Sequence, residues 1–284
     1  MIRIEGLRKS FGGAPVLDGV DLEIPSMQRV AIVGSNGAGK TTLFRCLLGE
    51  YRFQGALTIA GLTHARNRTE ILSRVAFVPQ LPPPLRMPVG ELIRYVARVS
   101  GAAAGRIEDI AAQLGLDLAA IKGRAFVKLS GGQKHKLLVA AALGRDADIL
   151  ILDEPAANFD PAARAVLFDL MARRRATMII SSHRLDEIAS LVNRVVELDR
   201  GKVALDDCVA EVMGLDRRLG CRIALGRAEP AFAKAAREWG LRDVDSGASW
   251  EGAIPAPDRL RFFGFLARYS GLVTAVRMEE DDGR

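Results

Sequence analysis

The sequence predicts an α/β fold built on a parallel sheet with helices on both faces. Val30–Val33, Ile149–Leu152 and Met178–Ile180 are short runs that are apolar at every position. Strands buried on both faces read this way, whereas half-exposed strands alternate. Between these runs lie stretches with apolar residues at helical spacing, such as Gly90–Val99 and Gln133–Leu143. In sheets of this kind ligands gather at the carboxyl ends of the strands.

The N-terminal residues Met1–Glu5 alternate like a strand and lack the apolar core of a leader peptide. No apolar run reaches the roughly 18–20 residues that would cross a bilayer. The expectation is a cytoplasmic chain whose membrane role, if it has one, runs through a partner. The 284 residues suffice for one large domain and a small companion. Cys46, Cys208 and Cys221 are too few and too scattered for a disulfide framework or a zinc cluster and read as free thiols.

The strand Val30–Val33 runs into Gly34-Ser35-Asn36-Gly37-Ala38-Gly39-Lys40-Thr41, which fits G-x-x-x-x-G-K-[ST], and a helix over Thr41–Leu48 follows. Glycines let the backbone curl so that successive N–H groups face one phosphate, and the helix start adds its positive end. Lys40 is expected to bridge the β- and γ-phosphates of ATP and Thr41 to hold Mg²⁺, with Thr42 completing the cradle. Helical spacing turns Leu43, Phe44, Leu47 and Leu48 toward the core. The strand Ile149–Leu152 delivers Asp153 and Glu154 to its carboxyl end, Asp153 as an Mg²⁺ ligand and Glu154 to orient or deprotonate an attacking water. Ser130-Gly131-Gly132-Gln133 heads another helix and forms a second anion cradle. One ATP does not need two such cradles from one chain. The economical arrangement is a head-to-tail pair in which each chain's second cradle caps the other's ATP.

This ordered set resembles the nucleotide-binding subunit of an ATP-binding-cassette (ABC) transporter over residues 1–203. The resemblance implies a P-loop ATPase with a parallel core sheet, an antiparallel subdomain and a helical subdomain at about 85–145. It places Gln80 in the loop that contacts Mg²⁺, water and the membrane subunits, and Asp160 in the loop that crosses the pair interface. It makes His183 the histidine that hydrogen-bonds the γ-phosphate, and Phe11 the ring that stacks on adenine. Three positions depart from the family: Phe11 replaces the usual Tyr, Ala156 the usual Thr and Phe159 the usual Leu. The groups needed for hydrolysis remain, so an active ATPase is expected.

Residues 204–221 read as a linker and 222–284 as a small α/β domain. Its elements are a strand at Arg222–Leu225, a helix at Pro230–Trp239, a strand at Ser249–Ile254, a helix at Pro257–Tyr269 and a strand at Leu272–Met278. On the second helix, Leu260, Phe263 and Leu266 face either the core or a partner. This tail resembles the C-terminal extension of bacterial exporter-type ATPases, which implies export. The proline-rich segment after Gln80 is weakly similar to subunits serving copper and nitrous-oxide-reductase maturation.

The net charge of +6 divides unevenly. Residues 205–284 carry 12 basic and 14 acidic groups, leaving 28 and 20 on the rest. That excess suits nucleotide, nucleic acid or anionic lipid alike. A nucleic-acid- or ribosome-acting ABC ATPase is the main alternative. Against it, only about 90 residues separate Lys40 from Ser130, without heptads, and there is one cassette. The run Arg173-Arg174-Arg175 lacks interleaved aromatics and reads as a solvated helix end. A purely regulatory ATP-binding module is the other alternative, and Glu154, Gln80 and His183 argue against it. The expected partners are a second copy and integral membrane permease subunits, with no direct nucleic acid. The chain would lie peripherally on the inner face of the membrane.

Overall fold

The computed structural model describes residues 1–182, 185–209, 218–255, 262–263, 265–266 and 268–280. The chain forms two compact units, Met1–Asp207 and Cys208–Arg284. In the first, strands β1 (Ile2–Phe11), β2 (Ala14–Ile24), β3 (Arg29–Val33), β4 (Gln54–Ile59), β5 (Val75–Val78), β6 (Ile149–Asp153), β7 (Thr177–Ser181), β8 (Arg194–Asp199) and β9 (Lys202–Cys208) make two sheets. The six-stranded sheet has the order β5-β6-β7-β3-β8-β9, and its pairs from β5 through to β8 are parallel. Every residue of β6 and β7 is buried, as their unbroken apolar runs require. The second sheet, β2-β1-β4, is antiparallel.

The helices of this unit are α1 (Lys40–Leu47), α2 (His64–Arg74), α3 (Val89–Ser100), α4 (Ala104–Gln113), α5 (Leu118–Ile121), α6 (Gly131–Gly144), α7 (Pro161–Ala172) and α8 (Leu185–Ile188). On α1, Leu43, Phe44 and Leu47 are fully buried and join one core with Val30, Ile32, Ile151 and Ile179. Burying each contributes roughly 1.5–3 kcal/mol, which anchors the helix that follows the glycine loop.

Residues 204–208, expected in a linker, instead complete β9 at the sheet edge. The turn Arg200-Gly201 has positive φ at both residues, 45° and 77°, the geometry that suits a tight hairpin. Arg194 on β8 then grips Asp206 on β9 with Nε and Nη2, each 2.6 Å from a carboxylate oxygen. Residues 218–221 are likewise strand, and 210–217 lie outside the described residues. The basic run is also used within the fold: Arg173 pairs with Asp169, and Arg174 donates to the Arg145 carbonyl.

In the second unit, β10 (Arg218–Leu225), α9 (Pro230–Glu238), β11 (Arg242–Asp243), β12 (Ser249–Pro255) and β13 (Val273–Glu280) follow in order. The strands form an antiparallel sheet, β11-β12-β10-β13, with the two central strands not adjacent in sequence, the split β-α-β arrangement. The expected helix at Pro257–Tyr269 is partly outside the described residues, Leu260 included. Its described part turns Phe262, Phe265 and Leu266 into a core with Phe232 and Trp250, while Phe263 is 39% exposed. The core face is therefore one residue out of phase with the expected one at this position. No helix among the described residues is long and apolar enough to cross a membrane.

Candidate active site

The segment 34–39 leaves β3 at its carboxyl end and enters α1. Gly34 (φ 141°) and Gly39 (φ 110°) lie where an L side chain is strained. They are also crowded: a Cβ on Gly34 would fall 2.2 Å from the Leu198 carbonyl oxygen, and one on Gly39 would fall 2.7 Å from Leu17 Cδ2. These glycines let the loop pass tightly under β8 and β2. Lys40, only 8% exposed, folds back so that Nζ donates to the carbonyls of Gly34 (2.6 Å) and Ser35 (3.1 Å). Burial pushes its pKa down, and the carboxylates of Glu154 and Asp153 pull it up.

Asp153, the last residue of β6, is 1% exposed and is held from two sides. Thr41 Oγ1 lies 2.8 Å from its Oδ2, and Ser181 Oγ donates to its Oδ1 at 2.6 Å. The same Ser181 oxygen accepts the Glu154 backbone N–H at 2.9 Å. Glu154 adopts φ 52°, a costly conformation for a side-chain-bearing residue that persists only where its surroundings fix it. Ser181 at the end of β7 fixes it, and no sequence motif marks that serine.

These elements enclose a cavity of about 160 Å³ lined by Val16, residues 36–42, Gln80, Asp153 and Glu154. The structure thus brings together Asn36, Gly37, Ala38, Gly39, Lys40, Thr41, Thr42, Gln80, Asp153 and Glu154. Gly34 and Ser35 lie just behind, as acceptors for Lys40. Val16, at the start of β2, carries no motif and was not expected. The oxygen donors Thr41, Asp153 and Gln80 suit a hard cation. Among the described residues no group of three His, Cys, Asp or Glu could hold a metal. Mg²⁺ keeps waters and substrate phosphates as ligands, so it needs few protein oxygens.

An ABC transporter family model matches residues 17–157. The "Aliphatic sulfonates import ATP-binding protein SsuB 1" of Nocardia farcinica is 36% identical over 213 residues, covering 73% of this chain and 82% of the relative. The chain belongs to the ABC transporter ATP-binding family. The "Nod factor export ATP-binding protein I" of Cupriavidus metallidurans is 31% identical over 233 residues, 78% of this chain and 75% of that protein. The "Nickel import ATP-binding protein NikO" of Rhodobacter capsulatus is 35% identical over 232 residues, 74% and 90%. Among solved structures, the "ATP binding subunit of ABC transporter" superposes with a TM-score of 0.68 at 23% identity, covering 75% of this chain and 92% of that one. An ATP-bound bacterial Atm1-family ABC exporter superposes with a TM-score of 0.68 at 25% identity, 76% and 40%. The chain is accordingly an ATP-binding, ATP-hydrolysing cassette.

Other expected residues of the cassette stand outside the cavity. Ser130 caps α6: its Oγ accepts the Gln133 N–H at 3.2 Å, and Gln133 Oε1 accepts the Ser130 N–H at 3.1 Å. This reciprocal cap leaves the serine hydroxyl hydrogen and the N–H groups of Gly131 and Gly132 as donors at a helix start. None of Ser130, Gly131, Gly132, Gln133 and Asp160 lines the cavity. Phe11 does not line it either. Its ring, 44% exposed, meets the Tyr51 ring edge-on at 5.2 Å, with Lys9 Nζ 4.6 Å from its centre. No sequence motif marks Tyr51. His183 lies outside the described residues.

On α6, His135 is fully buried, and burial lowers its pKa below the ordinary 6.5. As pH falls through 6.5 the unfolded chain takes up the proton before the folded one, so this group's contribution to stability is complete above that pH and is lost below it. Urea midpoints should therefore drop more between pH 7 and pH 5.5 for the native chain than for His135→Leu. Parallel pH profiles would contradict this.

Proposed function

We propose that two copies of this cassette close head to tail around two MgATP and thereby drive a separate membrane permease. One observation carries the reading. The cavity around Lys40, Asp153 and Glu154 holds only about 160 Å³ and takes nothing from the α6 start, although that helix start presents free donors. A pocket that encloses a ligand of this size runs to roughly 300–1,000 Å³, so a single chain covers the phosphates at most. The α6 start of a second copy supplies the missing wall.

In this reading Lys40 exchanges the Gly34 and Ser35 carbonyls for β- and γ-phosphate oxygens, and the amides of Asn36–Gly39 face the same phosphates. Thr41, Asp153 and Gln80 would hold Mg²⁺, which neutralises phosphate charge when bound. Glu154, with its backbone pinned by Ser181, orients the attacking water and takes its proton. His183 hydrogen-bonds the γ-phosphate, and Phe11 stacks on the adenine of a nucleotide that emerges from the cavity. Ser130–Gln133 of the second copy closes over that nucleotide, and Asp160 sits at the interface of the pair.

A permease partner would meet exposed apolar side chains after Gln80. Leu81 is 81% exposed, and Met87, Tyr95, Val99 and Val127 are exposed as well. Apolar surface of this kind marks protein interaction sites when it is contiguous. The sulfonate, phosphonate and nickel relatives are named for import, and the Nod factor relatives for export. For this chain the resemblance of the second unit to exporter-type extensions favours export.

Ser130→Arg tests the composite site. The variant should bind ATP as a monomer with native affinity, yet neither pair in ATP nor turn it over. Normal turnover would overturn the head-to-tail reading.

A further inference from the structure

We propose that His135 and Lys136 on α6 are positioning residues that clamp the loop 154–160, so that the helix headed by Ser130 and the loop headed by Glu154 move as one body. The proposal rests on the head-to-tail reading. In such a pair Ser130 serves the partner's ATP and Glu154 the chain's own, so the clamp ties the two sites together within each chain.

Three contacts define it. The Phe159 ring, itself buried, stands edge-on to the His135 imidazole, with centroids 5.9 Å apart and planes at 89°. Lys136 Nζ lies 3.1 Å from Asp160 Oδ2 and 5.9 Å from the centre of the Phe159 ring. At Gly132, one turn earlier, a Cβ would come within 3.1 Å of the Asn158 carbonyl oxygen, so helix and loop run in direct contact. The loop is fixed at both ends as well. The Glu154 N–H donates to Ser181 Oγ, and Asp160 Oδ1 caps α7 by accepting the Ala163 N–H at 2.9 Å.

The choice of His135 is informative because core filling does not require it. Among the described residues neither ring nitrogen has a hydrogen-bond partner. Burying two unpaired polar atoms is unfavourable, and an aliphatic side chain would avoid the cost. A flat ring supplies what an aliphatic chain cannot, an edge-to-face contact of defined angle that resists sliding. Phe159 supplies the other ring. Lys136 adds an ion pair and a cation above the same ring. Displacing Ser130 therefore displaces Phe159 and strains the loop against its anchors at Ser181 and Ala163, so the position of Ser130 is felt at Glu154.

The test is the dependence of ATP turnover on ATP concentration in the intact chain, with His135→Ala, Phe159→Ala and the double variant. The native chain should be cooperative, with a Hill coefficient near the limit of about 2 set by two coupled sites. Each single variant should fall to about 1, with monomer ATP affinity unchanged. The double variant should be no worse than either single, and His135→Phe should restore cooperativity by restoring a ring. If either alanine variant melts early, Lys136→Met, which removes the ion pair without emptying the core, should still lower the coefficient. Native cooperativity in Phe159→Ala or Lys136→Met, or a non-cooperative native chain, would overturn the clamp. Sizing in MgATP separates the two ideas. Pairing with unaltered cooperativity in the variants sinks the clamp alone, whereas failure of the native chain and of Glu154→Gln to pair sinks the head-to-tail reading and the clamp with it.

Discussion

Lys40→Ala should lower ATP turnover by at least about 100-fold, the typical effect of deleting one preorganised donor aimed at developing charge. Lys40 is a cation kept almost wholly from solvent, held by two loop carbonyls and flanked by Asp153 and Glu154. Burial alone would discourage the charge; the neighbouring carboxylates favour it. Alanine removes the charge, the donor and the two hydrogen bonds that close the loop. The fold should survive, because Leu43, Phe44 and Leu47 anchor α1 independently of the loop. Phosphate release gives the activity, and a thermal melt within a few degrees of native shows that the loss is chemical. Appreciable turnover in a folded Lys40→Ala would place the phosphates elsewhere.

Glu154→Gln should separate binding from chemistry. The amide keeps the shape of the carboxylate but cannot take a proton, so turnover should fall by about 10²–10⁴, the range for a general base. Backbone placement depends on the Ser181 hydroxyl and the positive φ, neither of which the substitution alters. ATP binding should persist, and with hydrolysis blocked a closed pair should accumulate in MgATP at twice the monomer mass. A Glu154→Gln chain that hydrolyses normally would remove Glu154 from the role given to it, and one that stays monomeric in MgATP would overturn the head-to-tail pair.

The parts of this molecule legible in the sequence are those with a local cause. A run apolar at every position admits a strand buried on both faces, and β3, β6 and β7 form where such runs occur. Helical spacing in Thr41–Leu48 likewise identifies Leu43, Phe44 and Leu47 as core. The glycine pattern locates the loop and therefore Lys40.

What escaped has a tertiary cause. Ser181 is one serine ending a buried strand, and its bridge between Asp153 and Glu154 exists only because β7 lies beside β6. His135 stands between two lysines and looks exposed; only the packing of α6 against the loop at Phe159 buries it. Tyr51 and Phe11 are 40 positions apart and come together only because β4, which follows Tyr51, pairs with β1. The edge strand β9 is rich in charge and reads as linker until Arg194 is seen to pair with Asp206. In the second unit, aromatic residues at 262, 263 and 265 fit more than one helical phase, and the sheet selects 262 and 265.

The central claim, that each ATP site is built from Lys40 of one chain and Ser130 of another, is tested most directly by mixing two defective chains. Both carry Glu154→Gln to hold closed pairs; one adds Lys40→Ala and the other Ser130→Arg. Neither chain alone should pair in MgATP, because every site in either homodimer carries a defect. A mixed pair places both defects in one site and leaves the other intact, so it should form and occlude one ATP per pair, measured by sizing and nucleotide content. Pairing of the Ser130→Arg chain by itself, or no pairing and no retained nucleotide in the mixture, would contradict the account.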